Sequence, residues 1–185
     1  MFLTIKIVIC GDGMVGKTAI RQRYMGYAFK PSYLMTVGAD FAIKNQPIGD
    51  TALKYQIWDL AGQQRFSAIR AMFYKGSLGA LLLYDVTRLD TFENVPVWVG
   101  EIKKNVGHVV PLVLVANKVD LRDQADISVS TETGIQLAQE LTETYMEGRM
   151  EVPYLETSAK TGQNIEESFV NLGLNIIKMD EIGWD

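Results

Sequence analysis

The segment from Gly11 to Thr18 constrains the fold of this chain more than any other segment. It reads Gly-Asp-Gly-Met-Val-Gly-Lys-Thr, which matches the pattern Gly-x-x-x-x-Gly-Lys-Ser/Thr of a phosphate-binding loop. An apolar run, Ile5 to Cys10, precedes this phosphate loop, and a segment of helical character begins at Ala19. The order of strand, loop and helix is the context that the pattern requires. The chain is therefore predicted to fold around a site for a nucleoside triphosphate.

Each residue type in the phosphate loop suits phosphate chemistry. Glycines let successive backbone N–H groups converge on the β-phosphate, and the amino terminus of the next helix adds partial positive charge. Lys17 is predicted to reach the β- and γ-phosphate oxygens, and the Thr18 hydroxyl is predicted to bind Mg²⁺. The loop residues predicted to bind the nucleotide are Gly11, Gly13, Met14, Val15, Gly16, Lys17, Thr18 and Ala19.

Short apolar runs alternate along the chain with longer segments of helical periodicity, which predicts an α/β fold with a largely parallel sheet. Because the segment 47–51 is too short for a crossover helix, the strands on either side of it are predicted to form an antiparallel hairpin. Asp90, and either Ser130 or Thr131, are predicted to cap helices. Strands are predicted at 3–10, 38–46, 52–58, 79–85, 111–116 and 152–156, and helices at 16–26, 66–74, 91–106, 131–147 and 164–179.

Length and composition exclude several classes of protein. A chain of 185 residues with 48% hydrophobic residues fits one domain, 1–185, and a net charge of −4 without a basic cluster argues against nucleic-acid binding. The single cysteine, Cys10, is predicted to be a buried thiol in a reducing compartment. No apolar stretch approaches the roughly 20 residues that span a bilayer, and no signal-peptide cleavage site is evident, so a cytoplasmic location is predicted.

A second motif, Asn117-Lys118-Val119-Asp120, follows a predicted strand directly, at the sheet edge where open α/β folds bind ligands. The Asp120 carboxylate can accept hydrogen bonds from guanine N1–H and from the 2-amino group, whereas adenine offers neither donor. Taken alone this pattern is weak, and a polar turn at the end of a strand explains it equally well. Ser158-Ala159-Lys160, after the next strand, supports guanine, because a backbone N–H there can bind guanine O6.

Together the motifs resemble the Ras superfamily of small GTPases, and most closely its Rab-like branch, over essentially the whole chain. The other family motifs are Thr36 within 33–41 and Trp58-Asp59-Leu60-Ala61-Gly62-Gln63. The Rab likeness lies in 37–41, 56–58 and 83–87. The resemblance implies the P-loop NTPase fold in its small G protein form. That fold has a six-stranded, mostly parallel sheet with one antiparallel edge strand and helices on both faces.

The resemblance also implies roles for matching residues, with GTP or GDP and Mg²⁺ as ligands. Thr36 would close on Mg²⁺ and the γ-phosphate, Asp59 would hold Mg²⁺ through water, and the Gly62 N–H would sense the γ-phosphate. Phe29 would pack edge-on against guanine, and Lys118 would lie along the base and brace the phosphate loop. The nucleotide-binding residues implied outside the loop are Phe29, Tyr33, Thr36, Gly62, Asn117, Lys118, Asp120, Ser158, Ala159 and Lys160.

Hydrolysis of GTP is implied by Gln63, which matches the family glutamine that orients the attacking water; Gln63 and Lys17 are the predicted catalytic residues. No arginine occurs between Tyr24 and Gln64. Arg65 and Arg70 lie just beyond, where structural roles on an exposed helix are predicted. Hydrolysis is therefore predicted to be slow until a GTPase-activating protein supplies an arginine.

Two segments, 29–41 and 60–74, are predicted to hold their triphosphate geometry only through Thr36 and Gly62, and so to act as switches. Effectors would read these switches, an exchange factor would reset them, and the Rab likeness implies regulation of the membrane-traffic type. The aromatic trio Phe41, Trp58 and Phe73 matches the residues that Rab-like proteins present to effectors. Alternatively, one or two of these side chains pack into the core.

Several features depart from the family pattern. Met14, Leu60 and Gln64 replace the usual residues, and the segment 121–152 is longer than usual, which predicts an extended helix there. The carboxyl end, 178–185, has no cysteine for the prenyl anchor usual in Rab-like proteins. Membrane association is therefore predicted only through partners or a missing tail.

Two rival functions fit part of the sequence. A nucleotide-responsive binding module would hold GTP but hydrolyse it negligibly. A nucleotide kinase or an ATPase could be built on the same phosphate loop, but the motifs at 117–120 and 158–160 would then be coincidences.

Overall fold

The computed structural model of the protein describes residues 2–31 and 35–183. The strands are β1 (Phe2–Cys10), β2 (Ala39–Ile48), β3 (Thr51–Leu60), β4 (Gly79–Asp85), β5 (Leu112–Asn117) and β6 (Tyr154–Thr157). The α-helices are α1 (Lys17–Tyr24), α2 (Ser67–Tyr74), α3 (Leu89–Glu93), α4 (Val95–Val106), α5 (Thr131–Thr144) and α6 (Ile165–Glu181). Short 3₁₀ helices span Gln64–Phe66 and Val119–Gln124. Within the described ranges, no helix is both long enough and apolar enough to cross a membrane.

The strands form a sheet in the order β2-β3-β1-β4-β5-β6. β1 pairs in parallel with β3 and β4, and β5 pairs in parallel with β4 and β6. β2 is antiparallel to β3 and lies at one edge of the sheet. Ile48 pairs with Thr51, so Gly49 and Asp50 form the turn, and Gly49 supplies the positive φ, 55°, that such a tight hairpin favours. The predicted fold class and the predicted hairpin are both confirmed.

The sheet is covered on both faces, which explains why β1 is apolar at nearly every position. Ile7 and Ile9 pack on the face covered by α1 and α6, together with Phe169. Val8 lies on the opposite face, where Trp98 of α4 joins the same core cluster. Alternate residues of a strand point to opposite faces, so a strand buried on both sides reads as a continuous hydrophobic run. The single cysteine of the chain, Cys10, is buried as predicted.

One long helix was predicted at 91–106, but the structure has two helices that meet at Asn94. Pro96 lies in the first turn of α4, where its missing N–H costs no hydrogen bond and its fixed φ suits a helix start. Asp90 is not a cap, because α3 begins at Leu89 with Arg88 at the N-cap position. The prediction for Ser130 is confirmed, since its Oγ accepts a hydrogen bond from the Thr133 N–H at 3.2 Å.

The predicted extension of the helix at 131–147 is wrong, because α5 ends at Thr144. Glu147 and Gly148 have φ angles of 53° and 67°, which are left-handed conformations that end a helix. The Gly148 N–H then donates to the Thr142 carbonyl at 2.9 Å and closes the turn. The residues between α5 and β6 therefore form a turn and not additional helix.

The topology brings distant loops together at one edge of the sheet. β1, β3, β4, β5 and β6 run in parallel, so their carboxyl ends all lie on that edge. The phosphate loop follows β1, Gln63 follows β3, Arg88 follows β4, Asp120 follows β5 and Ala159 follows β6. Residues that are more than 100 positions apart in the chain can therefore share one site.

Two helical glycines give a matched test of packing against helix propensity. A Cβ at Gly173 in α6 would overlap the side chains of Ile48 and Tyr55, whereas a Cβ at Gly100 in α4 would meet nothing within 4 Å. We expect Gly173→Ala to lower the free energy of unfolding by about 1–3 kcal/mol, because overpacking outweighs better helix propensity. Gly100→Ala should raise it by up to about 1 kcal/mol. Urea unfolding of both variants measures the difference, and equal stabilisation by the two would contradict it.

Candidate nucleotide-binding site

The phosphate loop fits its surroundings only because two of its residues are glycine. Gly11 and Gly16 have φ angles of 134° and 102°, which side chains rarely adopt. A Cβ at Gly11 would overlap the carbonyl of Leu83 in β4, and a Cβ at Gly16 would overlap the side-chain amide of Asn117. The loop therefore lies directly against the ends of β4 and β5.

Lys17 lies inside the arch of the loop. Its Nζ donates to the carbonyl oxygens of Gly11 at 2.8 Å and Asp12 at 2.7 Å, and the side chain is buried. Burial lowers the pKa of the Lys17 ammonium to about 8, with nearby Asp59 acting in the opposite direction. A buried ammonium with two carbonyl acceptors is well prepared to interact with an anionic ligand.

Thr18, Thr36 and Asp59 form a compact group of oxygen ligands beside Lys17. The Thr18 hydroxyl donates to Asp59 Oδ2 at 2.5 Å and lies 3.1 Å from the Thr36 hydroxyl. Asp59 is buried and Arg21 Nε lies 3.9 Å from its carboxylate. Burial raises the pKa of Asp59, while the Thr18 hydrogen bond lowers it.

We tested whether these residues fit a magnesium ion. Asp59 Oδ1 is buried and has no hydrogen-bond partner among the described residues. Two hydroxyls and one carboxylate are hard oxygen donors, and Mg²⁺ in nucleotide sites is typically held by one or two carboxylates together with substrate phosphates and water. The group therefore fits Mg²⁺, and Thr18, Thr36 and Asp59 are the residues that would hold it.

Gly62 and Gln63 reach the phosphate loop from the end of β3. A Cβ at Gly62 would overlap the Asp12–Gly13 peptide, so backbone meets backbone at this point. The Gln63 side chain lies against Gly13, since a Cβ there would be 3.3 Å from Gln63 Nε2. A cleft of about 220 Å³ separates these residues from Lys17 and Thr18. It is lined by Gly13, Met14, Gly16, Lys17, Thr18, Ala19, Gln22, Lys30, Thr36, Leu60, Gly62 and Gln63.

Most of the lining was predicted, but Gln22, Lys30 and Leu60 were not assigned to the site. Lys30 is a second cation near the phosphate cleft. It lies in the segment before Thr36, where no residue has a fixed spacing from the phosphate loop, so the sequence carried no signal for it. Phe29 is 39% exposed, and its contact with guanine stays a prediction. Tyr33 lies outside the described residues.

In the motif at 117–120, Asn117 has a structural role, and Asp120 is the candidate ligand-binding residue. The buried Asn117 amide donates to the Val15 carbonyl at 2.8 Å and its oxygen accepts from the Thr157 hydroxyl at 3.0 Å. Asn117 therefore fastens the phosphate loop to β6. Asp120 accepts a hydrogen bond from the Ser158 hydroxyl at 2.6 Å, and its Oδ2 lies 4.0 Å from Lys160 Nζ. The two predicted base-binding segments thus meet in space.

The described ion pair of Lys118 joins its Nζ to Asp85 Oδ2 at 2.6 Å, and its expected place along the base and against the phosphate loop stays a prediction. The loop is contacted by Arg88, whose Nη1 donates to the Gly13 carbonyl at 3.0 Å. Arg88 belongs to none of the motifs, so no sequence pattern predicted this contact.

Arg70 is fully buried, so its predicted place on an exposed helix surface is wrong. Its Nη1 donates to the carbonyls of Ala61 and Gln63, both at 2.8 Å, and Nε and Nη2 bind the Glu101 carboxylate at 2.7 and 2.9 Å. The guanidinium also lies 4.5 Å from the ring centre of Trp98. Arg70 therefore fastens the backbone on both sides of Gly62 to α4.

The three aromatic residues predicted as an effector surface are contiguous. Ring centres are 4.9 Å apart for Phe41 and Trp58, and 5.4 Å apart for Trp58 and Phe73. Phe41 is 42% exposed, whereas Trp58 and Phe73 are partly buried and pack against the core. Trp58 and Phe73 therefore match the alternative of packing into the core, and contact of the trio with an effector stays a prediction.

Comparisons with known proteins agree with this site. The model of the Ras family matches residues 6–178. The GTP-binding protein ypt2 of Schizosaccharomyces pombe is 39% identical over 174 residues, which cover 94% of this chain and 82% of that protein. Ras-related protein RABA6b of Arabidopsis thaliana is 41% identical over 167 residues, covering 90% and 68% respectively. Ras-related protein Rab-7a of Dictyostelium discoideum is 35% identical over 181 residues, covering 96% and 84%.

The Arg70 contacts predict a large stability effect. Arg70→Met should lower the free energy of unfolding by about 3 kcal/mol, because it leaves the Glu101 carboxylate and two buried carbonyls without a partner. Adding Glu101→Leu should recover part of this loss, because the uncompensated charge is then removed. Arg65→Met, at an exposed arginine five residues earlier, should change the free energy of unfolding by no more than about 0.5 kcal/mol. Urea unfolding with ligand at saturating concentration compares the free energies of unfolding of the variants. Additive effects of Arg70→Met and Glu101→Leu would contradict a direct interaction between the two side chains.

Proposed function

The chain belongs to the Ras family of small GTPases and is Rab-like within it, and we propose which of its residues operate the GTP-dependent switch. It is a GTPase, and proteins of this family bind GTP or GDP together with Mg²⁺. The observation that carries the assignment of residues is the convergence of Thr18, Thr36 and Asp59 beside Lys17. That convergence links the phosphate loop to Thr36 in the proposed switch segment 29–41 and to Asp59, which directly precedes the second proposed switch segment, 60–74.

Asp120 is the proposed determinant of base selectivity. Its carboxylate lies at the ligand edge of the sheet and is oriented by the Ser158 hydroxyl, which leaves further lone pairs to accept from guanine N1–H and the 2-amino group. Adenine would leave this partly buried charge without donors, which is costly. The Ala159 N–H follows Ser158 directly and is the proposed donor to guanine O6. Asn117 acts mainly by holding the phosphate loop.

Binding of the phosphates is assigned to the loop and to Lys17. Loop N–H groups and the Lys17 ammonium would neutralise the β- and γ-phosphate oxygens, and Lys17 is already held in place by two carbonyls. Bound Mg²⁺ would supply additional positive charge to the phosphates. Gln63 is the proposed group that orients the attacking water, since its side chain lies at Gly13 on the wall of the phosphate cleft.

The switch rests on contacts that depend on the γ-phosphate. Thr36 reaches the site through its hydroxyl, and Gly62 reaches it through backbone packed on the Asp12–Gly13 peptide. Loss of the γ-phosphate removes an acceptor that both segments share, so both would rearrange. Phe41 and its neighbours Trp58 and Phe73 are the proposed surface on which an effector detects that change.

Regulation by other proteins follows from the same site. Arg70 is committed to Glu101 and backbone carbonyls, so it is not free to stabilise charge on the phosphates. We infer that rapid hydrolysis needs an arginine from a GTPase-activating protein, and that an exchange factor promotes release of GDP. The Rab likeness favours a role in membrane traffic.

Loss of Gln63 tests hydrolysis against the rival of a binding module. Gln63→Leu should lower single-turnover GTP hydrolysis at least about tenfold and leave GDP affinity within about twofold, because water positioning is lost but phosphate contacts remain. Gln64→Leu, at the exposed neighbouring residue, is the matched control and should keep the wild-type rate. Release of inorganic phosphate measures the hydrolysis rate of both variants. Equal rates for wild type and Gln63→Leu would favour a binding module, and displacement of labelled GDP by ATP would contradict guanine selectivity.

Burial of Lys17 predicts a pH dependence of nucleotide binding. Its pKa is lowered to about 8 without phosphate, and neighbouring phosphate charge raises that pKa in the complex. Below about pH 8 the ammonium is charged in both states, so this group leaves affinity unchanged. At higher pH, binding must take up a proton, and Kd should rise by up to about tenfold per pH unit. Titration of labelled GDP from about pH 7 to about pH 9 measures this, and calorimetry in buffers of different ionisation enthalpy detects the proton. A constant Kd without proton uptake would contradict the prediction.

A further inference from the structure

Arg88 extends from a rigid turn onto the phosphate loop. Its backbone N–H donates to the Asp85 carbonyl at 2.9 Å, and its own carbonyl accepts from the Thr91 hydroxyl at 2.7 Å. From this base, Nη1 donates to the Gly13 carbonyl at 3.0 Å, while Nη2 pairs with Asp90 at 2.7 Å. The guanidinium is thus held at both ends, with one end on the backbone of the loop.

The contact sets the direction of the peptide between Gly13 and Met14. In a planar trans peptide, the carbonyl and the next N–H point in opposite directions. Arg88 lines a second cleft, on the side of the loop that also carries Asn94 and Lys118, and it does not line the cleft that contains Lys17. A Gly13 carbonyl directed at Arg88 therefore points the Met14 N–H away from Arg88, and Met14 itself lines the phosphate cleft.

Met14 itself opposes this orientation. Its φ of 71° lies in the left-handed region, which a non-glycine residue populates roughly tenfold less readily than glycine does. Rotation of the Gly13–Met14 peptide plane would bring Met14 to a negative φ and relieve the strain. The same rotation would turn the Met14 N–H away from the phosphates.

We propose that Arg88 is a positioning residue for the nucleotide, which holds the strained Gly13–Met14 peptide so that the Met14 N–H donates to a phosphate oxygen. The positive charge of the Arg88 guanidinium, next to the Gly13 carbonyl, also polarises the peptide and strengthens the Met14 N–H as a hydrogen-bond donor. Arg88 acts through the backbone and does not itself contact the phosphates. The inference rests on the proposed function, because it takes a guanine nucleoside diphosphate or triphosphate as the ligand.

Dissociation of fluorescently labelled GDP tests the role of Arg88. Arg88→Ala should increase the dissociation rate about tenfold, because a charge-assisted hydrogen bond to the loop is lost. Arg88→Lys should recover part of this loss, since it keeps a charged donor. Arg149→Ala, which removes an exposed arginine far from the site, should keep the wild-type rate. A wild-type rate for Arg88→Ala would overturn the proposal, whereas failure of the wild-type protein to bind labelled GDP would refute the nucleotide site itself.

Met14→Gly separates positioning from a general structural role. Glycine adopts the left-handed conformation freely, so Arg88→Ala in the Met14→Gly background should accelerate dissociation only about twofold to threefold. An equal tenfold effect in both backgrounds would contradict the role assigned to strain. The amide of Met14 can also be observed directly after ¹⁵N-methionine labelling of the GDP-bound protein, with Met14→Gly identifying its resonance. A downfield Met14 proton that moves upfield in Arg88→Ala supports the proposal, and an unmoved resonance overturns it.

Discussion

The hydrogen bond from Thr18 to the buried carboxylate of Asp59 is the contact on which the rest of the site depends. Burying an ionised carboxylate is expensive unless partners compensate it. Here the partners come from α1, because Thr18 donates to Asp59 and Arg21 Nε lies 3.9 Å from the same carboxylate. The requirement to satisfy one charge therefore joins α1 to the end of β3, and Thr36 joins them through its contact with the Thr18 hydroxyl. The unpartnered oxygen of Asp59 leaves a place at the same point for a cation.

A second set of contacts holds the segment after β3 from the other side. Arg70 binds the carbonyls on either side of Gly62 and joins them to Glu101 in α4. The same helix returns to the phosphate loop, because the Trp98 indole donates to Asp12 at 2.7 Å. The Arg70 end of this segment is thus held entirely by contacts with other protein groups.

The predictable parts of fold and site have local causes. The glycines of the phosphate loop could be recognised because backbone freedom is a property of single residues, and the β2–β3 hairpin because its connection is short. The break at Asn94 and the end of α5 at Thr144 were missed, since caps and positive φ angles decide element ends more than hydrophobic periodicity does. The burial of Arg70 could not be read from its own segment, because its acceptor Glu101 lies in another helix.

The sequence by itself predicted the class of ligand, most of the order of strands and helices, and a set of candidate residues for the nucleotide site. These depend on residue types at short, fixed spacings and on the rule that parallel strands share one carboxyl edge. Only the tertiary structure decided how those residues are held. The pairing of Lys118 with Asp85 and the support of the Gly13 carbonyl by Arg88 are contacts between separate segments. Such contacts depend on how the chain packs. The left-handed conformation of Met14, next to the Gly13 carbonyl that Arg88 contacts, is tolerated only because the surrounding structure holds it.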